Sequence, residues 1–190
     1  MIYGALCFSL SLDHPLTRLI MPATKVFIRY VVIGLGLALQ PFVAHSAASQ
    51  TWPQPPSQLS LDSPYGTLQV SQSDYVYEAQ LQLDSQIIAP ELKGLINIPY
   101  AFRQSNNQTA LISVDNGLGG CSIYYHWVTV SSKGYTVSPA FGSCSAQIRV
   151  RHQGQTLIME TPSLDNPTLI DEYRYDGRKI SLRKRKPRAQ

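Results

Sequence analysis

Cys121 and Cys144 are the residues of this chain with the most definite chemistry. They bracket a predicted β-hairpin at mirror positions, so oxidation to a disulfide is the reaction their placement favours. His126 lies between them, and on paper it forms a Ser-His-Asp set with Ser122 and Asp115. No G-x-S-x-G elbow frames a serine, however, and a single histidine on an apolar strand face is more often a structural partner. Gly117-Leu118-Gly119-Gly120 has the composition of a phosphate or oxyanion cradle, but it lacks the lysine and following helix of a P-loop, so it reads as a turn. Asp171 and Glu172 are adjacent and point to opposite faces of any strand, which rules them out as a glycosidase pair. Two histidines after residue 49, His126 and His152, do not have metal-site spacing. The sequence therefore calls for no metal and no cofactor, and it offers no positive support for an enzyme; a hydrolase with a site near His126 is kept as the competing class.

Binding chemistry is concentrated at the two ends of the folded region. Arg183, Lys184, Arg185, Lys186 and Arg188 form a basic run suited to weak contact with an anionic surface. The expectation is a solvated, disordered tail over residues 183–190. Without these five cations the chain after residue 48 is net acidic, so the pI near 9.0 comes from the tail and the leader, and nucleic acid is an unexpected partner. At the other end Trp52 stands in a proline-rich segment, residues 49–64, which reads as a linker whose tryptophan docks on the domain surface.

The elements that must position these residues are strands. With 44% apolar and 15% charged residues, eleven tyrosines and frequent Gly and Pro, the chain suits short strands separated by turns. Strands are expected at Tyr65 to Val70, Asp74 to Leu83, Ile87 to Ala89, Leu95 to Ile98 and Thr109 to Asp115, with a polar loop at Gln104 to Gln108. Next comes a hairpin, Cys121 to Val130 and Tyr135 to Phe141, closed by Ser131-Ser132-Lys133-Gly134. If Val130 faces Tyr135, then Val128 meets Val137, Tyr124 meets Phe141, and Cys121 meets Cys144. Bulky Ile123, Tyr125 and Trp127 then lie opposite small residues on the other face, so both faces are expected to be covered. A further meander places Val150 opposite Leu157 and Ile148 opposite Met159, with Arg149 and Arg151 turned away. A last hairpin turns at Asp176-Gly177; Tyr75-Val76-Tyr77 echoes Tyr173-Arg174-Tyr175, but the match is too short for a repeat and strand composition alone explains it. The expected fold is all-β and antiparallel, a meander, sandwich or partly open barrel formed by residues 65–182.

Residues 21–48 read as a secretory signal peptide: Lys25 and Arg29, an apolar run from Tyr30 to Leu39, then Ala44, Ser46, Ala47 and Ala48. The apolar run is too short for the about 20 residues that span a bilayer, so no membrane segment is expected after cleavage. Residues 1–20 are read as lying upstream of the true start at Met21. An exported chain with two remaining cysteines meets an oxidising compartment, periplasmic or secreted, where a disulfide persists.

Gly119-Gly120-Cys121, Tyr124-Tyr125-His126-Trp127-Val128-Thr129-Val130, Gly134 and Phe141-Gly142-Ser143-Cys144-Ser145 resemble a pattern of exported β-domain proteins from Gram-negative bacteria that have no assigned activity. The resemblance spans residues 109–177. It implies an exported β-domain with a cysteine pair and brings over no catalytic residue. The expected function is a non-catalytic binding or structural module of the cell envelope, a small periplasmic inhibitor or immunity-type protein included, with another envelope or secreted protein as partner.

Overall fold

A computed structural model describes residues 52–187 apart from 76, 118 and 122, all within one compact unit, Ala47–Gln190. Residues 21–48, where a signal peptide and its cleavage position are expected, and Ser122 and Arg188 lie outside the described residues. Twelve strands follow in chain order: β1 (Ser60–Ser63), β2 (Gly66–Val70), β3 (Leu81–Leu83), β4 (Gln86–Ile87), β5 (Leu95–Arg103), β6 (Asn107–Asp115), β7 (Ile123–Ser131), β8 (Gly134–Val137), β9 (Arg149–Gln153), β10 (Thr156–Pro162), β11 (Ile170–Tyr175) and β12 (Ile180–Arg185). They form three antiparallel four-stranded sheets, β1 to β4, β5 to β8 and β9 to β12, and none closes into a barrel.

The middle sheet is covered on both faces, as its two-sided apolar pattern requires. Ala110, Ile112 and Val114 of β6, with Val128 and Val130 of β7, share one core with Leu68, Leu81 and Ile88 of the N-terminal sheet region. The alternate residues Leu111, Tyr125 and Trp127 share a second core with Leu157, Met159, Tyr173 and Tyr175 of the C-terminal sheet. The result is a three-layer sandwich, because successive side chains of a strand point to opposite faces.

Pro99 sits inside β5, beyond the expected end at Ile98. The pairing shifts between Asn97 and Tyr100, so this proline occupies a bulge where no amide is demanded of it. One extra residue reverses the alternation. Ile96 and Ile98 face the N-terminal core, whereas Tyr100 and Phe102 face the C-terminal one.

The hairpin β7–β8 has the expected register near its turn, with Val128 opposite Val137 and Val130 opposite Tyr135. Farther out it slips by one residue: Phe141 pairs with Tyr125 and not with Tyr124. Pro139 donates no hydrogen bond, and the ladder skips across it from Ser138, bonded to Trp127, to Phe141. Gly142 follows at φ +129°, where a Cβ would stand 2.9 Å from the Tyr125 ring.

Several other expectations are corrected. Ser60–Ser63 of the proline-rich linker is a strand, because its backbone pairs with β2. Only Leu81–Leu83 of the Asp74 to Leu83 run is a strand; Tyr77 has φ +69° and Tyr75 is exposed, so the Tyr-x-Tyr echo has no structural counterpart. Gln108 belongs to β6. The chain after Phe141 leaves the middle sheet for the C-terminal one instead of extending a single meander. In β9–β10 the register moves by two residues, Met159 meeting Val150, so each side chain keeps its face. The last hairpin closes through the four residues 176–179, since Tyr175 pairs with Ile180 and the Asp176 carboxylate accepts from the Arg178 and Lys179 amides.

Candidate functional site

Period-two alternation in the C-terminal sheet puts Arg149 and Arg151 of β9, Glu160 of β10, Glu172 and Arg174 of β11, and Arg183 and Arg185 of β12 on the face turned away from the core. Glu160 and Glu172 are direct cross-strand partners, and each is only 3% exposed. Two like charges opposed and buried destabilise a sheet unless cations surround them.

Arginines from both sides do so. Arg151 Nη2 stands 3.2 Å from Glu160 Oε1 and 3.2 Å from Glu172 Oε2. Arg185 reaches the same pair from β12, with Nη2 2.7 Å from Glu160 Oε1 and Nε 3.3 Å from Glu172 Oε2. Arg174 Nη1 holds Glu172 Oε1 at 3.2 Å, and Arg149 Nη1 approaches Glu160 Oε2 at 3.9 Å. Ile158 and Ile170, on the same face, are fully buried, consistent with cover by arginine stems. Burial alone would raise the Glu172 pKa, but the hydrogen bond from Arg174 and the charges of Arg151, Arg174 and Arg185 outweigh it and hold the carboxyl below its ordinary 4.5.

One of the expected interaction residues, Trp52, reaches this face. The Arg149 guanidinium lies 5.5 Å from the Trp52 ring centroid, a cation–π contact that docks the N-terminal arm at the margin of the face. The arm then runs along β5, where Gln58 accepts from the Ile98 amide at 2.9 Å and Asn97 Oδ1 accepts from the Gln58 amide at 2.8 Å.

The basic run is therefore not a disordered tail from residue 183 onward. Arg183, Lys184 and Arg185 complete β12, because the buried carboxylates of β10 and β11 and the open edge of β11 need partners. Arg183 is exposed opposite Glu172. Lys184 turns the other way, its Nζ donating to Ser163 Oγ and Asp165 Oδ2, each at 2.9 Å, and facing buried Asp171 Oδ1 at 3.3 Å. Lys186 is exposed, and its carbonyl accepts from Arg185 Nη1 at 3.0 Å. Arg149, Arg151, Arg174, Glu160 and Glu172 were not singled out in the sequence as site residues. Their signal was there in outline: Glu160 interrupts the apolar run of β10, and Arg149 and Arg151 alternate with apolar residues.

The cysteines meet as expected: Cys121 and Cys144 form a disulfide with Cα atoms 4.8 Å apart. His126 is 6% exposed, its Nδ1 lies 2.8 Å from the Ser138 carbonyl, and the Tyr124 ring meets it edge-on. Since a carbonyl only accepts, the neutral ring carries its proton on Nδ1. The Asp115 carboxylate accepts from the Gly117 amide at 2.8 Å. Phe141 packs on the opposite face, with Tyr125 and Trp127. Among the described residues no group of three or more His, Cys, Asp or Glu could hold a metal, and no helix is long and apolar enough to cross a membrane.

Burial lowers the His126 pKa below 6.5, and the bond to Ser138 offsets this only partly. An unfolded chain then binds a proton at His126 before the folded one does, so stability is complete above pH 6.5 and falls as pH drops toward the folded value. Glu172, whose folded pKa is also depressed, contributes stability above 4.5 that is lost as pH falls through its lower folded value. Urea midpoints at about pH 8, 5.5 and 3.5 should fall in these two stages. His126→Asn, which keeps a donor for Ser138, should remove the first stage alone; an unchanged first stage would refute the assignment.

No protein-family model, curated protein or solved structure matches the chain.

Proposed function

We propose that this protein is an exported, non-catalytic binding module of the cell envelope, periplasmic or secreted, whose contact surface is the arginine face of the C-terminal sheet. The partner is another envelope or secreted protein presenting an acidic segment. One observation carries the reading: five arginines, Arg149, Arg151, Arg174, Arg183 and Arg185, share a strand face with only two carboxylates. Each guanidinium has five N–H donors; Arg174 engages Glu172 through Nη1 and Arg183 makes no side-chain hydrogen bond or ion pair to a described residue, so donors of these two are available to carboxylates from outside. The buried glutamates hold the Arg149, Arg151, Arg174 and Arg185 guanidiniums in place, which lowers the ordering cost of binding. The leader-like N-terminus and the disulfide support the exported setting. An inhibitor or immunity-type role is a special case of this reading. The hydrolase alternative draws no support from a His126 ring that is buried and bonded to main chain.

The test captures partners from envelope extract with wild-type protein and with Arg174→Glu/Arg183→Glu, alongside titration with a decaglutamate peptide. Wild-type protein should bind both in a salt-sensitive manner, and the double variant should bind about tenfold or more weakly. Equal binding by the variant, or no binding by either, would overturn the proposal.

A further inference from the structure

A second recognition surface lies at one end of the sandwich, away from the arginine face. Three hairpin connections converge there: residues 104–106 between β5 and β6, 154–155 between β9 and β10, and 176–179 between β11 and β12. They enclose a cavity of about 650 Å³ and an adjoining one of about 340 Å³, which share Gln104, Asn107, Gln155 and Leu157. The larger falls within the size range of ordinary ligand sites.

The lining is polar and mostly uncharged. Gln104, Ser105, Asn106 and Gln155 contribute side chains that make no hydrogen bond to any described residue, so their amide and hydroxyl groups are unspent. Carboxamides offer a donor pair and an acceptor in one plane, which suits vicinal hydroxyls that both donate and accept. Phe102 supplies an apolar wall: the bulge at Pro99 turns it toward this side, where it meets the His152 ring at 6.0 Å. The C–H face of a pyranose ring is complementary to the negative π face of such an aromatic ring.

The loops are held before any ligand arrives. The Gln104 amide donates to the Asn107 carbonyl at 2.9 Å, and the Asp176 carboxylate accepts from the Arg178 and Lys179 amides at 2.9 and 2.8 Å. Arg103 is the cation of the larger cavity and Arg178, beside Asp176, that of the smaller, so neither holds the cluster of cations that concentrates anions. We infer that this groove binds a neutral oligosaccharide through Gln104, Asn106 and Gln155, with Phe102 as the apolar contact.

The experiment titrates the purified, disulfide-bonded protein with cellopentaose, chitopentaose and maltopentaose, with dextran sulfate as the anionic control, following backbone and side-chain amide resonances. At least one neutral pentasaccharide should give saturable shifts confined to residues 102–107, 152–157 and 175–179, with a Kd of about 1 mM. Gln104→Ala/Asn106→Ala/Gln155→Ala should weaken binding at least about tenfold while leaving thermal unfolding unchanged, since these side chains hold nothing in the fold. Absence of saturable shifts with all three sugars would overturn the inference. So would equal binding by the triple variant, or a response at these residues to dextran sulfate alone. The site is separate from the arginine face, so Arg174→Glu/Arg183→Glu should bind the sugar like wild type.

Discussion

Trp127→Ala should lower the unfolding free energy by about 4 kcal/mol, the largest effect expected of any single substitution here. Trp127 is fully buried at the centre of the second core. Its ring stacks on Tyr175 at 5.9 Å and Phe141 at 6.2 Å, and Phe102 approaches at 6.3 Å. These neighbours come from three segments, the β5 strand after its bulge, the crossover loop and β11, so none can collapse into the space without distorting its own sheet. The indole N–H has no hydrogen-bond partner among the described residues. Trp127→Phe removes that orphan donor along with part of the ring, and the relief offsets some of the lost packing. Its cost should be less than half that of alanine. Urea denaturation followed by circular dichroism measures both; a loss below about 1 kcal/mol for Trp127→Ala would contradict the packing described.

Removing the disulfide by Cys121→Ser/Cys144→Ser should cost about 3 kcal/mol, because the bridge closes a loop of moderate length in the unfolded chain. The sequence separation of the cysteines is 23 residues, and the bridge ties the entry of β7 to the crossover that leads to the C-terminal sheet. Loss of the bridge therefore frees the junction of two layers as well as the unfolded chain. Wild-type protein in reductant should unfold at the same urea concentration as the double variant, and oxidised wild-type protein well above it. Coincident transitions for all three samples would show that the bridge contributes nothing.

The sequence was most legible where contacts are local. The turn at Ser131 to Gly134, the pairing of Val128 with Val137, the proximity of Cys121 to Cys144, and the cover on both faces of β7 follow from turn chemistry and period-two alternation. Proline marks where that reasoning slips by a residue. Pro139 lets Phe141 advance to Tyr125, and Pro99 reverses the face of β5, because each removes a ladder donor and leaves the strand free to bulge. Tyr75 and Tyr77 have strong strand propensity but no strand partner among the described residues, so neither lies in a strand.

Charge was least legible. A run such as Arg183-Lys184-Arg185 looks solvated when only its own neighbours are considered. Its conformation depends on Glu160, Asp171 and Glu172, which reach it across two strand pairings and a loop. The amide-lined groove is similar, since its three connections lie far apart in the chain and meet only after the sheets stack. Local alternation and turn residues alone determined that this is an all-β protein with a bridged central hairpin. The layering, the arginine face and the groove were decided by tertiary structure, because each depends on which distant strands share a face, and packing between sheets sets that.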